Sequence, residues 1–452
     1  MSHQGNEPGA PPAQTAGAPD PAPGEQPGAA TPGVRQLGVL SVFGVGVGLA
    51  AGLGASLFIK IEHSLTELLW SDLPEALGYE SAPGWLAVAI LVTGALIVFG
   101  ASKMPGHGGH SPLEGLAVNI GPREGISVII AALGTLSFGA VLGPEAPLMA
   151  IGSALGALAV RNPNSPVRMV MMLAGAMAGI GAIFGNPLIT AMLLLEVAVM
   201  TGPRMANPAV LLTSLASLAA GYTLQVGIGS WSGLGETELS IPGLPDYPEV
   251  VPIDLVTALP LAIAVAAVSM AARLGAERVD VQARRRPLAT IVLAAVAIGL
   301  SAIIVAEITG GSLDLVLFSG DEAIPEYFAF TSVGLLAVVL LGKFVAFALS
   351  LGSGFRGGPI FPAVALGAIL ATMASLLVSG TSIAALSAAA IAAAVAASVR
   401  LPFLATLMAV LLTASAGGAT TVPAIIGTIV GILARMQAEK KYDSLAVNRP
   451  PV

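Results

Sequence analysis

The amino-acid sequence predicts an all-α integral membrane protein built from two related halves, with short and broken helices around a central site. Three observations support this prediction. Hydrophobic residues make up 55% of the chain and charged residues only 10%, which is typical of a protein whose solvent is the lipid bilayer. Long apolar stretches recur between about residues 36 and 437. Finally, the segment Gly143–Pro147 has a counterpart in Gly358–Pro362, 215 residues later.

The composition changes sharply at both ends of the apolar region. Residues 1–34 are rich in Pro, Gly, Ala and Gln and contain neither an apolar run nor a basic start, so we expect a disordered tail rather than a signal peptide. Residues 35–437 form the predicted transmembrane domain, with repeats over about 36–226 and 253–437. Residues 438–452 form a short charged tail.

Apolar stretches of two lengths follow one another along the domain. Six are near the ~20 residues that cross a bilayer as a helix, namely 36–60, 84–102, 206–226, 253–272, 289–308 and 331–351. Shorter pieces, punctuated by Gly and Pro, are 127–142, 144–159, 168–184, 187–201, 359–378, 382–397, 402–416 and 420–437. Irregular backbone at membrane depth is tolerated only where it is buried or lines a wet cavity. The sequence therefore predicts broken and re-entrant helices.

Charged residues between the apolar stretches predict the orientation. Segments 62–82 and 227–252 are acidic, whereas the connection after residue 272 contains Arg273, Arg278, Arg284, Arg285 and Arg286. Because Arg-rich loops remain in the cytoplasm, we expect this connection inside and the acidic segments outside. The same orientation places both termini in the cytoplasm of a multi-pass protein of the cell membrane.

The similarity between the halves extends beyond the GPxxP segments. Between residues 134–159 and 349–374, nine of 26 positions are identical, and the same offset pairs Pro187 with Pro402. Internal duplication of a membrane domain is typical of transporters, in which inverted repeats place broken helices near the bilayer midplane.

Pro144 and Pro359 predict a helix start in each half, because proline fits the first turn, where its missing N–H costs nothing. In an inverted repeat the two helix N-termini would meet, and their free N–H groups would form an anion site. Glu145 lies at the start of the first helix. Its carboxylate would occupy the anion's place when ionised and leave it when protonated, which is a gate. The alternative, that Glu145 only complements a helix dipole, stays open.

Five motifs, spread in order over residues 35–445, resemble those of the CLC family of chloride channels and chloride/proton antiporters. Glu145 in Gly143-Pro-Glu-Ala-Pro matches the gating glutamate of the family's GREGP motif. The other four segments resemble two anion-filter motifs, the helix with inward-side glutamates and the final pore-tyrosine segment; they are Gly108–Gly115, Gly352–Pro362, Asn186–Glu196 and Tyr442–Leu445.

The resemblance implies a CLC-type fold with two inverted-topology repeats, and a homodimer with a pore in each subunit. It assigns the gate to Glu145 and a candidate proton path to Glu196. It also implies a set of anion-binding residues: Gly108, Gly109, His110, Ser111, Gly143, Ala146, Gly357, Gly358, Ile360, Phe361 and Tyr442.

The anion filter departs from the family's pattern at three positions. Pro144 and Pro359 stand where the family has residues that offer an N–H, so two backbone donors are lost. Gly109 aligns with the serine that contacts the central anion, and the substitutes nearest in sequence are His110, Ser111 and Arg356. The anion sites are therefore expected to be fewer or differently placed.

The inward helix departs as well. Glu196 matches the first of two adjacent glutamates, but Val197 aligns with the second, which is the internal proton acceptor of many antiporters. Valine cannot relay a proton, so the sequence favours a channel-like or weakly coupled conductor unless Glu196 or a water chain substitutes. A structural alternative, a Glu196 carboxylate paired with a loop arginine such as Arg204, stays open.

Other polar candidates also keep two interpretations. Tyr442 is either a pore residue or a solvated terminal tyrosine, and His107 and His110 either attract anions or lie in a surface loop. Arg356 either raises the local anion concentration or lies at the interface. We expect Lys343 to reach one membrane interface.

These observations predict passive or gated transport of chloride or a similar small anion. Proton-coupled exchange of chloride or fluoride, and a non-conducting homologue, remain alternatives. The chain has no cysteine, and its four histidines lack metal-site spacing, so we expect neither a metal nor a cofactor. No nucleophile–base pair indicates an enzyme, and no basic segment interleaved with aromatics indicates nucleic-acid binding.

Overall fold

The computed structural model describes residues 33–114, 120–202, 206–235 and 239–447, with side chains described as far as Lys440. These residues form sixteen α-helices and no β-strand apart from two isolated bridges, which confirms the predicted all-α fold. The first half contains α1 Val34–Glu67, α2 Leu73–Ala76, α3 Gly84–Ala101, α4 Pro122–Leu136, α5 Glu145–Leu158, α6 Pro166–Gly181, α7 Pro187–Thr201 and α8 Pro208–Val226. The second half contains α9 Pro252–Arg285, α10 Pro287–Thr309, α11 Ile324–Ala329, α12 Val333–Gly352, α13 Ile360–Leu377, α14 Ile383–Val399, α15 Pro402–Leu412 and α16 Thr421–Val447.

Eight helices of the described part are long and apolar enough to cross a membrane. The multi-pass membrane character predicted from the sequence is therefore confirmed. Five other apolar helices, α5, α6, α7, α14 and α15, have 10–17 residues, which is too short for a full crossing at 1.5 Å per residue. They correspond to five of the shorter pieces that the Gly and Pro residues predict. Two other predicted short pieces, 359–378 and 420–437, are instead among the eight long helices, because the helical segments there extend over 18 and 23 residues.

Two predicted connections are helical instead. α9 continues to Arg285, so Arg273, Arg278 and Arg284 lie on its last turns rather than in a loop. Arg, Ala, Glu and Gln are strong helix formers, and an Arg284–Asp280 pair of 2.8 Å at i, i+4 supports this end. The acidic segment after residue 61 is likewise mostly helical, since α1 runs to Glu67 and helical structure continues to Ala76.

The halves repeat helix by helix. An offset of 215 residues carries the start of α5 at Glu145 onto that of α13 at Ile360, and the start of α7 at Pro187 onto that of α15 at Pro402. The packing repeats as well: α5 packs on α6 as α13 packs on α14, and α1 packs on α8 as α9 packs on α16.

Small residues allow these short helices to approach one another closely. Gly152 of α5 lies against the backbone of Gly175 in α6, where a Cβ atom would overlap the opposite carbonyl. At the related position of the second half, Gly367 of α13 lies 3.0 Å, measured from an added Cβ, from the carbonyl oxygen of Ala390 in α14. Close backbone approach of this kind stabilises helix pairs where lipid offers no hydrophobic driving force.

Candidate functional site

The two halves meet at an antiparallel bridge between the GPxxP segments. The N–H of Gly143 donates to the carbonyl of Gly358 at 2.8 Å, and the N–H of Gly358 donates back to the carbonyl of Gly143 at 2.6 Å. The paired residues occupy equivalent positions in the two repeats. The bridge is therefore symmetric with respect to the two halves.

A second reciprocal pair of hydrogen bonds surrounds the bridge. The N–H of Val141 donates to Ser350 Oγ at 3.0 Å, and the N–H of Arg356 donates to Thr135 Oγ1, also at 3.0 Å. The offset of 215 relates Val141 to Arg356 and Thr135 to Ser350. The backbone hydrogen bonds around the bridge are therefore symmetric, whereas the side chains differ: residue 141 is a valine and residue 356 is an arginine.

Glu145 lies beside this bridge as the first residue of α5, and Pro144 is the N-cap. The predicted helix starts at the two prolines are therefore confirmed to within one residue, since Pro359 is likewise the N-cap of α13. The Glu145 side chain is fully buried. Its Oε1 accepts a hydrogen bond of 3.0 Å from the N–H of Phe361, the second residue of α13, while Oε2 has no hydrogen-bond partner in the described part of the chain.

Glycine is required at both bridge positions by the space that Glu145 fills. A Cβ atom added to Gly143 or Gly358 would overlap the Glu145 carboxylate. The carboxylate is therefore enclosed between two backbone segments and the N-terminus of α13. A helix N-terminus offers N–H groups that lack an acceptor within their own helix, so the ionised carboxylate fills an anion-binding position.

A small cavity lies next to Glu145 on the side of the Gly108–Ser111 segment. Its volume is about 30 Å³, enough for a water molecule or a small ion. Residues from the predicted filter segments line it together: Gly108, Gly109, His110, Ser111, Ala146, Arg356 and Gly357. Beyond it opens a vestibule of about 280 Å³ that shares Gly109, Ser111 and Arg356 and reaches Arg284 on α9.

Several backbone N–H groups of the filter segments donate hydrogen bonds within the protein and are therefore not free to bind an anion. The N–H of Gly108 donates to Ser127 Oγ at 3.2 Å, that of Gly109 to Gly106 O at 2.8 Å, and that of Ser111 to Glu114 Oε2 at 3.3 Å. Gly143 and Gly358 donate to each other. Five residues that the resemblance places among the anion ligands therefore have their N–H groups engaged in this conformation.

A second, larger cavity lies near Glu145 on the side of the acidic connection after α8. It has a volume of about 420 Å³ and is lined by Phe184, Asn186, Tyr222 and Gln225, among others. The Phe184 ring lies 6.4 Å from that of Phe361, whose N–H holds Glu145. Phe184 therefore brings this cavity close to the start of α13, while the small cavity adjoins Ala146, the residue after Glu145.

The segment before Glu145 is covered by residues that the sequence analysis did not connect to it. Trp70 Nε1 donates to Ser137 O at 3.0 Å, and the N–H of Phe318 donates to Gly139 O at 3.3 Å. Lys343 is fully buried and donates to Leu317 O and Phe318 O at 2.9 and 3.1 Å. The expected interfacial position of Lys343 is therefore wrong, because these carbonyls satisfy its ammonium group inside the protein.

Glu196 caps a helix of the other half. It accepts hydrogen bonds from the N–H groups of Phe403 at 2.6 Å and Leu404 at 2.8 Å, both in the first turn of α15. Arg204, its suggested partner, lies outside the described residues. A signal was available in the sequence, since Pro402 announces a helix start, but nothing in the pattern brings that start to Glu196.

The remaining candidates divide by exposure and description. His107 and His110 are exposed, and His110 also lines the small cavity. Tyr442 lies on α16, beyond the residues whose side chains the structure describes. Within the described residues, no group of three His, Cys, Asp or Glu side chains is placed to hold a metal ion.

Comparison with known proteins agrees with this arrangement. A family model described as "Voltage gated chloride channel" matches residues 94–435. The chain is 27% identical over 361 residues to the "Putative ion-transport protein YfeO" of Escherichia coli O17:K52:H18, covering 76% of this chain and 80% of that protein. The YfeO protein of Escherichia coli O139:H28 matches to the same extent.

Solved structures share the fold. One is the "X-ray crystal structure of a slow cyanobacterial Cl-/H+ antiporter", with a TM-score of 0.70, 20% identity, and coverage of 88% of this chain and 94% of that one. Another is the "Crystal structure of a CLC-type fluoride/proton antiporter", with a TM-score of 0.63, 19% identity, and coverage of 90% and 97%. Because the family model spans more than half of the chain, the protein belongs to the CLC family of voltage gated chloride channels and transporters.

Proposed function

We propose that this protein moves chloride, or a similar small monovalent anion, passively across the membrane, and that Glu145 is the gate. The observation that carries the proposal is that only one of the two carboxylate oxygens of Glu145 accepts a hydrogen bond. Glu145 Oε1 takes the N–H of Phe361 at the N-terminus of α13, while Oε2 lies buried without a partner. The unbonded Oε2 contributes no hydrogen bond that an incoming anion would have to replace.

The direction of the pH dependence follows from this geometry. The ionised carboxylate competes with a permeating anion for the N–H groups at the start of α13. When the carboxylate takes a proton it loses its charge and its advantage at a helix N-terminus, so the anion can replace it. Transport is therefore expected to rise as pH falls.

A second candidate is proton-coupled exchange of chloride or fluoride. The observation that favours it is the shared fold, because two of the solved structures are described as Cl-/H+ and fluoride/proton antiporters. Two features of this chain favour uncoupled conduction instead. Val197 cannot carry a proton, and both oxygens of Glu196 are already bonded to backbone N–H groups.

We also propose the homodimer and the orientation that the family resemblance and the arginine pattern imply. In this orientation the Arg-rich end of α9, the small cavity and both termini lie on the cytoplasmic side, and the cavity around Tyr222 opens outward.

The proposal is tested by flux from liposomes that contain the purified protein and a chloride gradient. After a potassium ionophore is added, chloride should leave, and the loss should accelerate as pH is lowered. Proton uptake should not accompany it; uptake in fixed ratio to chloride would establish the exchanger. Parallel runs with nitrate and fluoride identify the preferred anion. Efflux equal to that from protein-free vesicles would contradict the proposal.

A further inference from the structure

Arg356 occupies the place where the two filter segments meet on the side of the Arg-rich end of α9. Its side chain lines both the cavity of about 30 Å³ beside Ala146 and the vestibule of about 280 Å³. Arg356 therefore lies on the boundary that the vestibule and the small cavity share. The equivalent residue in the first half is Val141, which carries no charge.

The guanidinium has donor capacity that the protein leaves unused. Nη2 makes one long hydrogen bond of 3.4 Å to His107 O, and the buried Nε has no partner among the described residues. An unsatisfied buried donor on a cation is costly unless a ligand completes it.

No carboxylate among the described residues forms an ion pair with Arg356, because none lies within 4.0 Å of its nitrogens. The two acidic residues of the vestibule, Asp280 and Glu114, act on Arg356 only at longer range. Asp280 pairs with Arg284 at 2.8 Å, and Glu114 accepts the N–H of Ser111. The unpaired N–H donors of Arg356 therefore remain available to an incoming ion.

The backbone around Arg356 explains why such a residue is needed. Five N–H groups of the filter segments are engaged within the protein, Pro144 and Pro359 have none to offer, and Gly109 brings no hydroxyl. A guanidinium supplies several N–H donors and a permanent charge from a single residue.

We propose that Arg356 is the anion-binding residue at the inner end of the path, where its guanidinium replaces the missing backbone and hydroxyl donors. The ligand is a small monovalent anion that fits the cavity beside Ala146. This proposal rests on the proposed function and names the residue that loads the anion before it meets Glu145.

The test varies chloride on one face at a time in planar bilayers that contain the protein. In Arg356→Gln, the half-saturating chloride concentration on the Arg356 face should rise about tenfold, while the other face and the maximal rate stay unchanged. Arg356→Lys keeps the positive charge but loses the forked N–H donors of the guanidinium. Its half-saturating chloride concentration should therefore remain within about threefold of the wild-type value. The matched control is Arg161→Gln, which removes one exposed positive charge outside both cavities and should leave both faces as in wild type. An unchanged half-saturating concentration in Arg356→Gln would overturn the proposal.

A measurement on the unaltered protein covers the case in which Arg356→Gln does not fold. Phenylglyoxal modifies accessible guanidinium groups, and chloride should slow its reaction at Arg356 several-fold, read by peptide mass spectrometry, while gluconate, too large for the cavity, should not. Modification of Arg284 serves as the internal reference. Equal modification of Arg356 with and without chloride would contradict the proposal. If wild type moves no anion at all, the proposed function fails, whereas chloride-independent modification in a conducting protein rejects only the role of Arg356.

Discussion

Glu145 and Glu196 are two buried carboxylates of the first half that each contact the N-terminus of a helix in the second half, but they are bonded to different extents. Glu196 uses both oxygens, on the N–H groups of Phe403 and Leu404. Glu145 uses one, on the N–H of Phe361, and its second oxygen has no partner. A carboxylate with complete hydrogen bonding fixes a helix in place, whereas one with incomplete bonding can be displaced. This difference is the reason that we propose Glu145 as the gate and Glu196 as a helix cap, although both residues occupy similar settings.

The surroundings reinforce this difference. Glu145 lies beside glycines that leave room for its carboxylate, and the next residue, Ala146, lines the small cavity. Glu196 lines a mostly apolar cavity that also contains Arg400 and Arg435. The local chemistry of each carboxylate, rather than its residue type, assigns its role.

Replacement of the gate is expected to have the largest effect. Glu145→Gln removes the charge that competes with the anion while it keeps the shape of the side chain. Loss of a charge-assisted hydrogen bond worth ~1.5–3 kcal/mol corresponds to a flux at neutral pH that is higher by roughly one to two powers of ten. Chloride efflux from liposomes measures it. A flux at or below the wild-type value would show that Glu145 does not block the path.

Replacement of the cap should affect stability and not gating. Glu196→Gln keeps one acceptor oxygen and loses the charge at the start of α15, so we expect a loss of about 1–3 kcal/mol of unfolding free energy. Thermal unfolding in detergent measures this loss. The pH profile of chloride flux should keep its wild-type shape. A flattened profile in a protein of wild-type stability would instead place Glu196 on a proton path.

The space around Glu145 provides a third test. Gly358→Ala introduces a Cβ where the carboxylate now lies, which should push Glu145 aside and raise flux several-fold at neutral pH. In the Glu145→Ala background the same change should have little further effect, because neighbouring changes that act through one contact are not additive. Gly100→Ala, at a position with open space around its Cβ, serves as the control. Equal effects of Gly358→Ala in both backgrounds would show that the glycine acts on something other than Glu145.

The smallest expected effect concerns the prolines that cap the two helices. Pro359→Ala restores a backbone N–H at the N-cap of α13, and a neutral hydrogen bond contributes ~0.5–1.5 kcal/mol. The half-saturating chloride concentration should fall by roughly two- to tenfold, as measured by concentration-dependent flux. Pro252→Ala, at the start of α9 and outside the site, should change nothing. A higher half-saturating concentration in Pro359→Ala would mean that the proline maintains the shape of the site and does not weaken it by lacking an N–H donor.

The sequence allowed much of this arrangement to be predicted, for reasons that are local. The repeated GPxxP segments mark helix starts because proline is restricted to the first turn and its flanks, and the structure begins α5 and α13 one residue after each proline. The same local information placed α7 and α15. An isolated carboxylate at one of these starts pointed to Glu145.

What the sequence did not disclose depends on contacts between distant residues. The cap that Glu196 provides joins positions 207 and 208 residues apart, and no periodicity records it. The pairing of Gly143 with Gly358 consumes donors that a motif comparison assigns to the anion. The arginines after residue 272 belong to α9 because this segment keeps a high helix propensity after its hydropathy has fallen. The fall in hydropathy alone predicts a loop.

The most direct test of the proposed gate is whether the Glu145 carboxylate and the anion compete for the same binding position at the start of α13. Calorimetric titration of chloride into the purified protein, at several pH values and for wild type and Glu145→Gln in parallel, measures this competition. We expect wild type to bind chloride more tightly as pH falls. Glu145→Gln should bind chloride at least about tenfold more tightly than wild type at high pH, with an affinity that does not change with pH. Identical affinities for the two proteins across the whole pH range would contradict the proposed gate.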